Sequence, residues 1–193
     1  MAGLVLAAGG GSRLGRPKAL VAYGGELLVD RAARLLADGG CAPVLAVLGA
    51  AADEVRATAA LPGTSTVDNP GWRTGMASSL RVGLGELRDA DAVVVTLVDM
   101  PLLGGEAVRR LIAARREGAE AAVATYSGSW GHPVLLSREV AAEVREAVRG
   151  DQGARVWLSR HPERVRTVPC DGTGDPRDVD VPEDLAALPA GEE

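Results

Sequence analysis

Apolar runs alternate with amphipathic stretches along most of the chain. Residues 3–8 form a short, continuous apolar run that ends in glycines, as a strand buried on both faces does. Residues 26–38 carry Leu28, Ala32, Leu35 and Leu36 at helical spacing and stop at Gly39 and Gly40, which predicts a helix and its end. The same reading gives strands over 43–48 and 64–68, with a helix over 50–60 between them that Pro62 and Gly63 terminate. A helix over 75–88 places Met76, Leu80, Leu84 and Leu87 on one face, and residues 92–98, AVVVTLV, form the strongest strand. Helices over 106–117, 138–149, 153–160 and 182–188 and strands over 121–126, 133–136 and 164–168 complete the pattern.

Strands that are apolar throughout, alternating with helices, predict a doubly wound, mostly parallel α/β sheet with helices on both faces. The connection from Tyr126 to His132 is too short for a crossover, so an antiparallel element is expected there. No repeat or linker divides the chain. It reads as one domain over 1–188 with a frayed tail over 189–193.

Composition changes this picture only in places. The 193 residues carry a net charge of −5, which argues against a nucleic-acid partner recruited by bulk phosphate attraction. No apolar run is long enough to span a membrane and no signal peptide is visible, so no membrane partner and a cytoplasmic location are expected. Cys41 and Cys170 show no metal-ligand spacing, as suits two thiols in a reducing compartment. Against twenty arginines, Lys18 is the single lysine. A compact ammonium and a planar guanidinium differ most where space is short.

Lys18 closes the stretch LAAGGGSRLGRPK, which follows the first strand and holds Arg13 and Arg16 as well. In a doubly wound sheet this position lies beyond the carboxyl ends of the strands, where ligands bind. Glycines let backbone N–H groups approach an anion closely, and no acid precedes Glu26, so a polyanionic small ligand is expected. Two familiar loops do not fit. Leu14 stands where G-x-G-x-x-G needs its third glycine, and Gly15 is followed by Arg-Pro-Lys rather than by the Lys-Ser/Thr of a P-loop. Asp99, at the end of AVVVTLVD, is placed to bind Mg²⁺, a hard ion that takes carboxylate and phosphate oxygens.

The loop resembles the L-A-A/G-G-x-x-x-R-M-G-x-x-K stretch of nucleotidyltransferases. With NPGWRTGMASSL, LVDMPLL, GHPVLL, GDQGAR and DVDVPEDL following in order, nearly the whole chain is similar to the molybdenum cofactor cytidylyltransferases, close to the guanylyltransferases of the same pathway. The resemblance implies a single doubly wound domain. It also implies Mg²⁺-dependent transfer of a nucleoside monophosphate, CMP in preference to GMP, from a triphosphate to a phosphate-bearing pterin, with release of pyrophosphate. A molybdoenzyme receiving the product is an implied partner.

Residue by residue, the resemblance assigns Arg13 to the pyrophosphate and Lys18 to the transferred phosphoryl group. Leu6, Ala7, Ala8, Gly9 and Gly11 would face the nucleotide, and Gly75 and Ser78 its base and ribose. Asp180 would join Asp99 on the metal, with Asp178 expected to face away. Val181 stands where the family has threonine and gives up a helix cap, typically worth ~1 kcal/mol. His132 falls where an acceptor could bind, although a lone histidine before a proline is more often structural than catalytic. Trp72 and Trp130 suit either an acceptor cleft or the core. Two alternatives stay open, a nucleotidyltransferase for another small phosphate acceptor such as a sugar phosphate, and a nucleotide-binding sensor or chaperone; turnover separates the second from the enzymes.

Overall fold

The computed structural model describes residues 1–189. Seven strands form one sheet in the order β5-β4-β1-β6-β8-β7-β9. These are β1 (Ala2–Ala7), β4 (Val44–Leu48), β5 (Thr64–Asp68), β6 (Ala92–Leu97), β7 (Ala121–Tyr126), β8 (Ser129–Ser137) and β9 (Val165–Pro169). The pairs β1–β4, β1–β6, β4–β5 and β7–β9 are parallel. Only β8 runs against its neighbours β6 and β7. That is the antiparallel element expected from the short Tyr126–His132 connection. At nine residues β8 is much longer than the predicted 133–136, because its first half, Ser129–His132, is exposed or half-exposed and carries only Trp130 as an apolar residue, too little to show a strand pattern.

Burial explains the uniformly apolar strands. Val5, Ala7 and Val94 face a core layer under α1 (Leu28–Asp38) and α4 (Gly105–Arg116). Leu4, Leu6, Val93 and Val95 face a second layer under α3 (Met76–Glu86), α5 (Arg138–Ala147) and α6 (Arg155–Arg160). The remaining helices are α2 (Ala52–Thr58) and α7 (Pro182–Ala186). One small element escaped the sequence pattern. Residues 26–27, read as the start of a helix, instead form β3 (Glu26–Leu27), which pairs with β2 (Ala22–Tyr23). Gly24 and Gly25 join them with φ of 55° and 76°, the two positive values a type I′ turn needs. Apart from Pro189, the tail expected to fray lies outside the described residues.

Helix α3 approaches the sheet closely because Gly83 has no side chain. A Cβ there would lie 2.4 Å from Leu4 Cδ1 and 3.0 Å from Val47 Cγ2, and both side chains are fully buried. Gly83→Ala gains ~1 kcal/mol of helix propensity. It should nevertheless lower stability by ~1–3 kcal/mol, since overpacking a filled core outweighs that gain. Urea unfolding checks the sign, and a stabilised variant would show that α3 can move off the sheet.

Candidate active site

The sheet order reverses between β1 and β6, and a crevice opens beyond their carboxyl ends. The glycine loop leaves β1 on one side of it. Gly11, at φ +58°, admits no other residue, because a Cβ would sit 2.0 Å from the carbonyl oxygen of Arg16. A turn closed by Leu14 N–H donating to Gly11 O, 2.9 Å, then delivers Lys18 to a short 3₁₀ turn, Lys18–Leu20. On the other side β6 ends at Leu97, and Asp99 follows in the turn beyond.

These two segments meet a third. Val179 N–H donates to Asp99 O at 2.8 Å, stitching the C-terminal segment to the end of β6. Asp184 Oδ2 accepts from Asp180 N–H at 2.8 Å and Val181 N–H at 2.9 Å. Valine offers the helix start no side-chain acceptor, so Asp184 supplies the surviving half of the cap from inside α7. That fixes the backbone that carries Asp180.

The result is an ion cluster drawn from three distant parts of the sequence. Lys18 Nζ lies 2.6 Å from Asp99 Oδ2 and 2.5 Å from Asp180 Oδ1. Arg13 Nη2 lies 2.8 Å from Asp180 Oδ2. Lys18 and Asp99 are well shielded, with side chains 16% and 15% exposed, whereas Arg13 is 68% exposed. Burial works against the Lys18 ammonium, but the Asp99 charge and the two carboxylate hydrogen bonds outweigh it and raise its pKa above the ordinary lysine value. The bond from Lys18, helped by Arg13, holds the Asp180 carboxyl below the ordinary range. Asp99 Oδ1 is buried and has no hydrogen-bond partner. Two carboxylates with one unsatisfied oxygen fit a magnesium-type ion, which takes one or two carboxylates and completes its shell with water and phosphate.

Not every expected residue joins the cluster. Leu6, Ala8, Gly9 and Gly75 line a cavity of about 330 Å³ together with Lys18 and Asp99. The Ser78 hydroxyl instead turns inward to the Gly75 and Gly71 carbonyls, at 2.8 and 3.2 Å, and buried Asn69 donates to it at 2.7 Å. Its neighbour Ser79 lines the cavity. Asp178 is exposed and makes no ion pair among the described residues. Residues two apart on an extended chain share a face; the segment is irregular here, and that is what separates Asp178 from Asp180. Met76, expected on the buried face of α3, is 38% exposed and forms part of the cavity wall.

A second cavity of about 290 Å³ adjoins the first, sharing Leu6, Met76, Leu97 and Asp151 with it. Its wall is mainly apolar and includes Trp130, Met100, Leu158 and His132. Burial keeps the His132 imidazole below its ordinary pKa, hence neutral near pH 7. Trp72 borders the first cavity and carries the Arg73 guanidinium 4.4 Å from its ring centroid. Arg73, Met100, Asp151 and Arg155 were missed as individual site residues. For Asp151 and Arg155 the signal was present in GDQGAR, whose Gly150 O accepts from Ala77 N–H at 2.9 Å and so docks on the start of α3.

Residues 3–165 match the model of the MobA-like NTP transferase domain. The chain belongs to that family. It is a nucleotidyltransferase of the MobA-like kind, with the mostly parallel sheet of its structural relatives. Rv0371c from Mycobacterium tuberculosis H37Rv is 35% identical, with a TM-score of 0.82 over 96% of this chain and 95% of that one. A structure of Rv0371c described as a complex with manganese is 33% identical, with a TM-score of 0.79 over 97% and 98% of the two chains. Nicotine blue oxidoreductase from Paenarthrobacter nicotinovorans is 39% identical over 194 residues, covering 96% of this chain and 95% of that protein.

The cluster makes a pH-dependent prediction. Lys18→Met leaves Asp99 without a counter-charge and Asp180 with only the exposed Arg13, which should cost roughly 2 kcal/mol at pH 7. In the native protein the depressed Asp180 pKa contributes stability above the unfolded carboxylate value of about 3.9, and this is lost as pH falls through the folded value. The raised Lys18 pKa contributes below the unfolded lysine value of about 10.4 and is lost as pH rises through the folded one. The difference between the two proteins should therefore be flat from about pH 5 to 9 and shrink below about pH 4. Thermal unfolding across that range checks it, and a difference that persists unchanged at pH 3 would contradict the ion-pair account.

Proposed function

We propose that the protein transfers a nucleoside monophosphate, CMP in preference to GMP, from the triphosphate to a phosphate-bearing pterin, releasing pyrophosphate. The carrying observation is the convergence of Lys18, Arg13, Asp99 and Asp180 beside the glycine loop, with one buried oxygen of Asp99 unsatisfied. Phosphoryl transfer needs charge neutralisation and in-line placement more than proton transfer, and that is what this set supplies. Asp99 and Asp180 would hold Mg²⁺, which would supply positive charge to neutralise the phosphates. Lys18 would exchange its carboxylate partners for a phosphoryl oxygen as the nucleotide enters. Arg13, the exposed member, would hold the departing pyrophosphate. The manganese complex of Rv0371c supports divalent-metal use in this setting.

The apolar second cavity supports a ring-bearing acceptor over a sugar phosphate, whose hydroxyls would find few partners there. The product's destination in a molybdoenzyme and a cytoplasmic site of action belong to the same reading. Among the described residues no helix is long and apolar enough to cross a membrane. A second reading is oxidation–reduction of nicotine blue, favoured by the identity to the oxidoreductase of P. nicotinovorans and by the apolar cavity. Against it stands a glycine loop without dinucleotide spacing.

Thermal shifts with CTP, GTP, UTP and ATP in the presence of Mg²⁺ test the nucleotide. Binding to the native state stabilises by mass action, so CTP should give the largest shift, and the absence of a shift with any of the four would defeat the proposal. In pyrophosphate-release assays Asp180→Ala should lose at least ~10²-fold in rate, the usual scale for one transition-state electrostatic contact. Asp178→Ala should stay within about threefold, because the effect of an exposed charge is screened. Equal losses would mean that the wrong carboxylate has been placed at the metal.

A further inference from the structure

Glycine loses more backbone freedom on ordering than any other residue, so a glycine loop that presents its amides to an anion needs outside support. The far end of this loop is closed by the Gly11–Leu14 turn. The near end has no such closure: among the described residues Gly9 and Gly10 make no hydrogen bond. What meets Gly10 is Trp72. A Cβ at Gly10 would lie 3.0 Å from Trp72 Cη2 and 3.2 Å from its Cζ3. The loop backbone therefore lies against the six-membered ring of the indole, with no free room for a methyl group between them.

The indole is itself rooted. A Cβ at Gly49 would lie 2.7 Å from Trp72 Cβ and 2.7 Å from the Ala8 carbonyl oxygen, so the ends of β1 and β4 close on the base of the side chain. Trp72 N–H donates to Asn69 O at 3.2 Å, and Asn69 N–H to Leu48 O at 2.7 Å. The Arg73 guanidinium over the ring adds a cation–π contact. The ring borders the cavity of about 330 Å³ and also an open cleft of about 380 Å³ beyond β4 and β5, lined by Asp53, Asp68 and Asn69. Without the ring, the loop would have open space beside it in place of a wall.

Trp72 also belongs to the other side of the cavity. Its carbonyl accepts from Gly75 N–H at 3.3 Å, and the chain runs through a short 3₁₀ turn, Trp72–Thr74, into α3. Ala8 and Gly9 line the cavity from the loop, and Gly75, Met76 and Ser79 line it from the start of α3. One residue thus touches both sides: its side chain backs the loop and its main chain leads into the helix. We infer that Trp72 is a positioning residue, whose indole sets the spacing between the glycine loop and α3 and holds the loop amides in place before the ligand enters. This rests on the nucleotidyl-transfer reading for the identity of the ligand, not for the geometry. A loop that is already ordered loses less freedom on binding, so the ligand is held more tightly.

Hydrogen–deuterium exchange of the unliganded protein tests the positioning directly. Trp72→Ala should speed amide exchange in the segment 9–12 by about tenfold, while α4, packed in the core layer that Trp72 does not touch, exchanges as in the wild type. Trp72→Phe keeps a ring against Gly10 and should stay within about threefold of the wild type. Calorimetric titration with CTP and Mg²⁺ should show about tenfold weaker binding in Trp72→Ala and near-normal binding in Trp72→Phe. Gly10→Ala, which presses a methyl group on the ring, should weaken CTP about fivefold in the wild type but less than about twofold in a Trp72→Leu background. Should Trp72→Ala fail to fold, the Phe variant and the Gly10 cycle decide. The inference is overturned if loop exchange in Trp72→Ala matches the wild type, if α4 speeds up equally, or if Gly10→Ala costs the same in both backgrounds. If the wild type binds no CTP, the nucleotidyl-transfer reading falls and the exchange result alone decides the inference.

Discussion

Three segments far apart in sequence are held together by one ammonium group. Lys18 reaches Asp99 across 81 residues and Asp180 across 162. Two carboxylates close together and partly screened from water repel each other and desolvate poorly. A cation between them is therefore a condition for the crevice to form in this shape. The main chain follows the same plan, with Val179 bonded to the Asp99 carbonyl and Asp184 gripping the amides of Asp180 and Val181. The charges proposed for metal and phosphate are thus the same ones that tie the three segments together. The buried, unpaired oxygen of Asp99 is the point where that arrangement is left unsatisfied.

From this cluster the division of labour across the crevice follows. The glycine loop and Lys18 border the cavity that holds Asp99 and Arg73, while β6, β8 and α6 build the mainly apolar one beside it. They share a wall of Leu6, Met76, Leu97 and Asp151, which in the proposed reaction would let two ligands meet while each keeps its own surroundings. Met76 explains why an apolar residue is exposed at the start of a helix: it serves a wall rather than the core. Arg155 and Arg73 border these cavities without carboxylate partners, whereas Lys18 and Arg13 are paired with Asp99 and Asp180.

Much of this was legible in the sequence because the physics was local. Fully apolar strands announced a sheet buried on both faces, and a seven-residue connection announced an antiparallel element. The glycines and cations of LAAGGGSRLGRPK pointed to a polyanionic ligand, and Gly9 and Lys18 do line a cavity beyond the strand ends. What the sequence hid was long-range. Nothing in the spacing of Asp178 and Asp180 says which reaches Lys18, since that depends on an irregular segment held by Asp184. Ser78, in a family-like motif, was expected at the nucleotide, yet its hydroxyl serves the Asn69 network and Ser79 takes the cavity. The β2–β3 hairpin was missed because two-residue strands carry too few side chains to show a period.

The central claim, that Lys18 serves as the resident counter-ion of a metal–nucleotide site, is tested most directly by titrating Mn²⁺ against the protein and following the free ion by electron paramagnetic resonance. In the wild type the ammonium competes for the two carboxylates, so Mn²⁺ should bind weakly alone and at least tenfold more tightly with CTP present. Lys18→Met should bind Mn²⁺ alone more tightly than the wild type does, and gain less from CTP. Equal Mn²⁺ affinity in the wild type with and without CTP, unchanged by Lys18→Met, would contradict the claim.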